Sequence, residues 1–397
     1  MKRTAAIVGA AAIPCGKLMA KPDAPLQVLE HELLAGCVLD AVKDAGLDKS
    51  SIDAMVFAHP RVYTRQLYFA TFVANYLRIP ANGVVMEVLG DGMTGGLAFD
   101  QALDQVTSGR VDVALALGVN FETAADTRAH LNNSMRAVGD VDFQASCGFT
   151  PISWYAMDAM RYMHEFGASR GEIASVAVKN RRHASLNPLA QFREPITLDE
   201  VLAQRIIVEP LGLLEVPPRS DGAACIVIAN EELARNLGRP YVRIRGRGFH
   251  HEGVHQISDI PTDMMAFVPA ARAARMAYEE ANITAADIDF AELYAPCTIV
   301  EICVAEACGL LERGKGARAS AQGQTSLGGR IPLSTSGGLL SRGHPPHVTP
   351  LYGFVELADQ LRHRAGNRQV KDAELGLITC ELGNYNAALI HILEAVV

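Results

Sequence analysis

One stretch of this chain occurs twice. Residues 41–53, Ala-Val-Lys-Asp-Ala-Gly-Leu-Asp-Lys-Ser-Ser-Ile-Asp, match residues 277–289, Ala-Tyr-Glu-Glu-Ala-Asn-Ile-Thr-Ala-Ala-Asp-Ile-Asp, at a constant offset of 236. Four identities in thirteen decide little alone. Each copy, however, reads as a helix end, a turn and an Ile-Asp that opens a strand, and each is set in the same order of elements. In the first copy short apolar runs (Thr4 to Gly9, Ala54 to Ala58, Val84 to Val88, Val111 to Leu117) alternate with helical patterns near Leu26 to Ala45, Gln66 to Tyr76 and Thr94 to Ser108. In the second, strands at Tyr241 to Arg245, Ile288 to Tyr294, Leu375 to Glu381 and Ala388 to Leu393 alternate with helices over Val268 to Ala281, Val300 to Leu311 and Leu351 to His363. Such alternation implies a mostly parallel sheet with helices on its faces.

Residues 120–218 break the rhythm, being polar and helical (Trp154 to Glu165, Arg170 to Ala184) before the next strand at Ala224 to Ala229. The expected division is therefore a first half made of 1–119 and 219–236, an inserted unit over 120–218, and a second half over 237–397. The 397 residues, 49% hydrophobic and 20% charged, suit several packed units and exclude a globally disordered chain. A net charge of −8 argues against nucleic-acid or anionic-membrane partners, whose affinity comes from basic surface. No run approaches the roughly 18 apolar residues of a membrane span. Met1-Lys2-Arg3, an apolar run to Ile13 and Cys15 imitate a lipoprotein signal, but Pro14 stands where a small residue is needed. The eight cysteines show no C-x-x-C and no regular framework, which fits reduced thiols used as small hydrophobes in a cytoplasmic protein.

Four stretches can carry chemistry. Gly90-Asp-Gly-Met-Thr-Gly95 fits the G-x-G-x-x-G dinucleotide pattern, but it follows the third strand and lacks a clear ribose acid, so a tight turn with close helix packing is the better reading. Leu327 to Pro345 is a glycine-dense loop that would present His344 to a ligand. Ala291-Glu-Leu-Tyr294-Ala-Pro-Cys297 ends a strand where α/β sites assemble. Ile378-Thr-Cys380-Glu-Leu-Gly383 ends another in a thiol. His250, His251 and His255 imitate a metal cluster without converging ligands, and no metal is expected.

Together these stretches resemble the thiolase superfamily, specifically the sterol-carrier-protein type. Leu327 to Pro345 is similar to its Gly-Gly-x-x-Pro-x-Asn-x-Ser-Gly-Gly…Gly-His-Pro signature, with Ser334 in place of Asn, and Ser220-Asp-Gly-Ala-Ala224 resembles its S-D-G-A-A stretch. Arg161 to Gly167, Val178 to Arg182 and Phe192 to Ile196 resemble its loop domain. The resemblance implies two duplicated βαβαβαββ halves packed as five αβαβα layers with an inserted loop domain. It also implies a coenzyme A thioester as substrate or product, a homodimer and, for many relatives, a small zinc-ribbon/OB-fold partner. Lys179, Arg181 and Arg182 are candidates for the coenzyme A phosphates.

The likeness fails at one position. Where the family has the Cys of Cys-x-[Ser/Thr]-Gly, which takes the acyl group, this chain has Gly92, with Asp91 beside it and no cysteine between 38 and 146. Glycine cannot form an acyl-enzyme. His344 matches the histidine that meets the thioester oxygen and Cys380 the acid/base cysteine. Gly92 and Gly383 lie at oxyanion-binding turns, and Tyr294 replaces an Asn or His. Pro346-His347-Val348-Thr349-Pro350 replaces the usual Gly-Ala-[Ser/Thr]-Gly. An enolate-stabilising site with a base still suffices for aldol chemistry, as in relatives resembling steroid side-chain aldolases, although those often lack the histidine kept here. In that reading His344 holds the thioester oxygen and Tyr294, Cys380 or Asp91 handles the hydroxyl proton. The alternatives are acyl transfer through Cys380 or Cys297, and a non-catalytic acyl-CoA-binding subunit.

Overall fold

The computed structural model describes residues 3–18, 29–60, 66–80, 82–124, 126–136, 140–143, 145–253, 263, 265–382 and 386–397. The strands are β1 (Ala5–Ala12), β2 (Ala54–Ala58), β3 (Val85–Val88), β4 (Val113–Phe121), the short hairpin β5 (Ile206–Val208) and β6 (Leu211–Gly212), β7 (Asp221–Asn230), β8 (Tyr241–His251), β9 (Phe290–Glu292), β10 (Leu375–Glu381) and β11 (Ala387–Val396). The helices of the first part are α1 (Glu30–Ala45), α2 (Phe69–Leu77), α3 (Thr94–Thr107), α4 (Thr127–Arg136), α5 (Pro151–Phe166), α6 (Arg170–Ser185), α7 (Leu198–Ala203) and α8 (Glu231–Asn236). Those of the second are α9 (Val268–Ala281), α10 (Thr298–Ala307), α11 (Gly316–Ala321), α12 (Gly338–Ser341) and α13 (Thr349–Leu361).

Strand order across the large sheet is β3-β2-β4-β7-β1-β8-β11-β10-β9, a palindrome of two equivalent runs. In each run two parallel strands (β2 with β4, β9 with β10) are followed by two antiparallel pairings. The halves meet through a short antiparallel pairing of β1 with β8 at Ala6↔Arg243 and Ile7↔Val242. The tenth strand implied by duplication is reduced to a single bridge, Ala291↔Leu333, which stands where β2 meets β3.

The offset of 236 survives at atomic level. Asp53 accepts backbone N–H bonds from Asp112 (3.1 Å) and Val113 (3.2 Å), and Asp289 accepts them from Glu374 and Leu375 (both 2.8 Å). Met55 N donates to Val84 O (2.8 Å) as Ala291 N does to Pro332 O (3.0 Å). Gly9 lies against Ala41 O and Ala45 just as Gly246, one residue beyond that offset, lies against Ala277 O and Ala281, so that a Cβ at either would collide with the covering helix. The repeat therefore keeps the contacts that pin helix to strand.

Apolar faces set the layers. Leu34, Val38, Val42 and Val73 of α1 and α2 close on one outer face of the first half. Phe99 and Leu103 of α3 meet Phe354, Leu357 and Leu361 of α13 in a central cluster that takes in strands of both halves. Ala270, Ala273, Ala277, Ile299 and Val300 of α9 and α10 close on the outer face of the second. The Phe99 and Phe354 rings stack at 3.8 Å. This is the αβαβα order, its β layers being the two runs of the one nine-stranded sheet, which is mixed and not mostly parallel as the alternation implied: five of its eight pairings are antiparallel. Helices α4–α7 and the β5–β6 hairpin lie between β4 and β7, and α6 begins at a reciprocal Ser169–Glu172 cap. No helix among the described residues is long and apolar enough to cross a membrane.

Candidate active site

The turn joining β3 to α3 carries Gly90, Asp91 and Gly92. Thr94 Oγ1 accepts from Gly90 N (3.0 Å) and donates to Asp91 O (2.7 Å), closing the turn on itself. Asp91 is held at φ 39°, a conformation that non-glycine residues rarely adopt and that clusters at functional sites. The glycines here face protein, not a phosphate cradle. A Cβ on Gly90 would meet the Leu97 side chain, one on Gly95 would lie 3.1 Å from His347 O, and one on Gly96 would lie 2.7 Å from Cys380 Sγ.

Gly92 is the decisive position. A Cβ there would lie 2.7 Å from both Tyr294 Cζ and Glu381 O, and closer still to the Tyr294 hydroxyl. The phenol thus fills the volume into which a side chain at 92 would project. Tyr294 is 4% exposed, follows the end of β9, and donates its backbone N–H to Thr379 Oγ1 of β10 (2.8 Å). Burial, then the charges of Glu381, Asp91 and Cys380, push its hydroxyl well above the usual tyrosine pKa. At neutral pH it is a proton donor.

His344 lies edge-on to the Tyr294 ring, centroids 5.6 Å apart. Its backbone N–H donates to Ser220 Oγ (2.9 Å) and its Nδ1 is tied to Thr349 Oγ1 (3.1 Å), which leaves Nε2 as the ring atom able to meet a substrate. Burial lowers its pKa to about 3, so the ring is neutral. The Ser220–Ala224 stretch supports this corner: Asp221 accepts from the backbone of Leu18 (2.8 Å) and Thr123 (2.7 Å), and Tyr352 hydroxyl bridges Ala223 N (3.1 Å) and Ile13 O (2.7 Å).

Other expected residues are placed differently. Cys380 is fully buried in the central apolar cluster with its sulfur against α3, and burial raises its thiol far above the ordinary range. Alternation along β10 sends the next residue, Glu381, to the opposite face, where it weighs on Tyr294 and on Tyr155 of α5. Gly92 N donates to Leu382 O (3.3 Å), so this amide is not turned to a ligand. Gly383 and His255 lie outside the described residues. Lys179 corrects an expectation: it is buried, ion-paired to Glu301 and bonded to Leu333 O (2.9 Å), because its helix face packs inward. Arg181 is also mostly buried, bonding Ser341 Oγ (3.2 Å) with its guanidinium 4.8 Å from the Phe192 ring, and only Arg182 of the three faces solvent. His250 and His251, neighbours near the end of β8, engage Arg272 (3.1 Å) and Gly253 N (2.8 Å). No group of three potential metal ligands occurs among the described residues.

Sequence reasoning passed over a polar chain beside the turn. His347 Nδ1 lies 3.0 Å from Asn120 Oδ1, and its Nε2 lies 3.9 Å from Asp91 Oδ1. Asn120 Nδ2 donates to Glu122 Oε2 (3.1 Å), and Glu122 Oε1 meets His130 Nδ1 (2.9 Å). Asn120 sits at the C-terminal end of β4, a position where α/β sites commonly gather side chains, and that signal was open to reading.

Residues 5–232 match the family described as "Thiolase, N-terminal domain" and residues 246–395 that described as "Thiolase C-terminal domain-like". An acetyl-CoA acetyltransferase of Methanothermobacter thermautotrophicus is 32% identical over 397 residues, covering 98% of this chain and 99% of that protein. A steroid side-chain-cleaving aldolase of Thermomonospora curvata is 30% identical over 374 residues, covering 91% and 92%. A solved structure described as Ltp2-ChsH2(DUF35) aldolase superposes with a TM-score of 0.81 at 29% identity, over 99% of this chain and 98% of that one. On its fold and these matches, the chain belongs to the thiolase superfamily, as an acyl-CoA enzyme of the acyltransferase or carbon–carbon lyase kind.

Proposed function

We propose that this enzyme breaks the Cα–Cβ bond of a β-hydroxyacyl-CoA by a retro-aldol reaction, without an acyl-enzyme. The observation that carries the reading is the Tyr294 hydroxyl standing in the space of the missing nucleophile at residue 92. A buried phenol that keeps its proton suits protonation of the α-carbon as the bond breaks. His344 is the group for the thioester oxygen, on which enolate charge develops, acting as an Nε2–H donor with Thr349 Oγ1 turned to donate to Nδ1. The coenzyme A thioester is substrate and product alike, and exposed Arg182 is the proposed phosphate contact.

The acetyltransferase relative favours a second reading, acyl transfer through another thiol. Cys297 and Cys380 are poor candidates, since burial raises both far from the thiolate form that attacks a thioester. The aldolase neighbour's DUF35 component supports a small partner subunit here as well. Edge strand β3, flanked by Leu67, Tyr68 and Leu89 at 74%, 84% and 63% exposure, is the surface proposed for a homodimer.

The test supplies a β-hydroxyacyl-CoA with no free coenzyme A and follows the products by mass. A shortened acyl-CoA plus a ketone or aldehyde is expected, with Tyr294→Phe slower by about 10²–10⁴-fold. Gly92→Cys should not restore thiolysis while Tyr294 occupies the space. Products that form only with added coenzyme A, together with an acyl adduct on the intact protein, would overturn the proposal.

A further inference from the structure

Resting on the retro-aldol reading, we infer that His347, paired with Asp91 and oriented by Asn120, is the base that takes the β-hydroxyl proton. His347 follows Pro345-Pro346 just ahead of α13, and its side chain is 13% exposed beside the 66% exposed Asp91 carboxylate. Its tautomer follows from its neighbours. Glu122 is an ionised carboxylate: burial would raise its pKa, but the bonds from His130 and Asn120 outweigh burial and hold it below the usual range. An ionised carboxylate only accepts, so Asn120 turns its NH₂ to Glu122 and its oxygen to His347. That oxygen also receives the His347 backbone N–H at 3.4 Å. The imidazole proton therefore sits on Nδ1, and the Nε2 lone pair faces Asp91 at 3.9 Å.

This arrangement suits a base. Burial favours the neutral ring, whereas Asp91 and Glu122 favour its charged form. A proton arriving at Nε2 converts an unfavourable lone pair–carboxylate approach into an ion pair. Among the described residues, the charged and titratable groups that bear on the ring are Asp91 in the turn before α3, Glu122 after β4 and His344 ahead of α13, with His130 of α4 bonded to Glu122. Asp91 precedes Gly92 in the turn that meets the Tyr294 hydroxyl, and its charge bears on that phenol.

The step balances. The β-hydroxyl proton moves to His347 Nε2, and the O–H electron pair becomes the new carbonyl π bond. The Cα–Cβ pair passes into the thioester enolate, whose α-carbon takes the phenolic proton of Tyr294. Proton return from imidazolium to phenolate, through water at the exposed Asp91, resets the enzyme with nothing consumed.

His347→Asn keeps an N–H for Asn120 but has no lone pair at Nε2, and Asp91→Asn removes the charge without changing shape. For cleavage of a β-hydroxyacyl-CoA, His347→Asn should lower kcat by about 10²–10⁴-fold and abolish the acid limb of the pH profile, with KM changed less than threefold. Asp91→Asn should move that limb to lower pH, because losing a neighbouring negative charge lowers an imidazole pKa. A loss confined to KM, or an unmoved acid limb, would overturn the inference. Histidine NMR titration of the resting protein separates the two claims. A His347 resonance that ignores Asp91→Asn refutes the pair. Absence of cleavage by the wild-type chain refutes the reaction, and with it the base role, even where the titration responds.

Discussion

The two halves share a frame and differ in what they place on it. In the first half, β2 is Ala-Met-Val-Phe-Ala, wholly apolar and buried, and the helix after it, α2, buries Phe69, Ala70, Val73, Ala74 and Leu77. At the same offset in the second half, Glu292 stands at the place of Val56 and Tyr294 at that of Ala58. The helix after β9, α10, buries Glu301. The second copy carries polar side chains where the first has a hydrophobic core strand, and the first contributes the glycine turn with its Asp91 carboxylate and the Asn120 side chain at the end of β4. A duplicated unit can diverge in this way because ladder bonds and helix contacts tolerate any side chain that can be solvated by a neighbour.

That tolerance has a cost, and the largest expected effect measures it. Glu301 is held by Lys179, by Ser334 Oγ (2.8 Å) and by Asn180 Nδ2 (3.1 Å), all within the protein interior. Removing one partner of a buried ion pair leaves the other charge uncompensated, at about 3–5 kcal/mol. Lys179→Met should therefore destabilise the fold by that amount in urea titration, whereas Lys179→Met with Glu301→Gln should recover most of it. Equal losses in the single and double variants would mean that the pair is not the stabilising unit. An equally conservative change inside α2, such as Val73→Ala, should cost roughly 2–3 kcal/mol through packing alone.

Much of the frame was readable from sequence, and the reason is local. Strand and helix periodicities depend on near neighbours, so β2, β10 and α9 begin and end where the pattern puts them, and the repeat pointed to its own structural partner. What was not readable depends on distance along the chain. Lys179 sits in a polar helical stretch that looks solvated, and only a contact 122 residues away makes it a buried ion pair. His347 and Asn120 are 227 residues apart. Alternation on β10 was visible, but not which face would meet Tyr294, so Cys380 was noticed and Glu381 was not. The absent nucleophile was legible, while the phenol that fills its place required the packing of both halves.

A smaller effect should appear with pH at the diverged strand of the second half. Burial and the charge of nearby Glu356 raise Glu292 to about 7, against the lowering influence of Arg342 and Ser336. A carboxyl whose pKa is raised in the folded state binds its proton more tightly there than in the unfolded chain. Its contribution is full below about pH 4.5 and is lost as pH rises towards about 7, by on the order of 2–3 kcal/mol. Glu292→Gln should flatten that part of the stability–pH curve, whereas Val56, its counterpart, has nothing to titrate. The difference between the wild-type and Glu292→Gln curves isolates this contribution from buried His183 and His344, whose lowered pKa values raise stability over the same window, and equal slopes in the two curves would contradict the burial of Glu292.

The smallest effect tests the shared frame itself. Asp53 and Asp289 each accept two backbone N–H bonds at the start of the neighbouring parallel strand, and each is followed at the same spacing by β2 or β9. Replacing either by Ala removes those acceptors while leaving the donors near water, so each loss should be about 1–2 kcal/mol. Because the geometry is duplicated, the two losses should agree within roughly 0.5 kcal/mol and add in the double variant, as distant independent sites do. A large inequality would show that one half has shifted this task to other bonds. The equivalence would then belong to ancestry of shape and not to present energetics. Agreement would place the divergence of the halves where the chemistry is, at 92, 292, 294 and 301, and leave the strand starts as common ground.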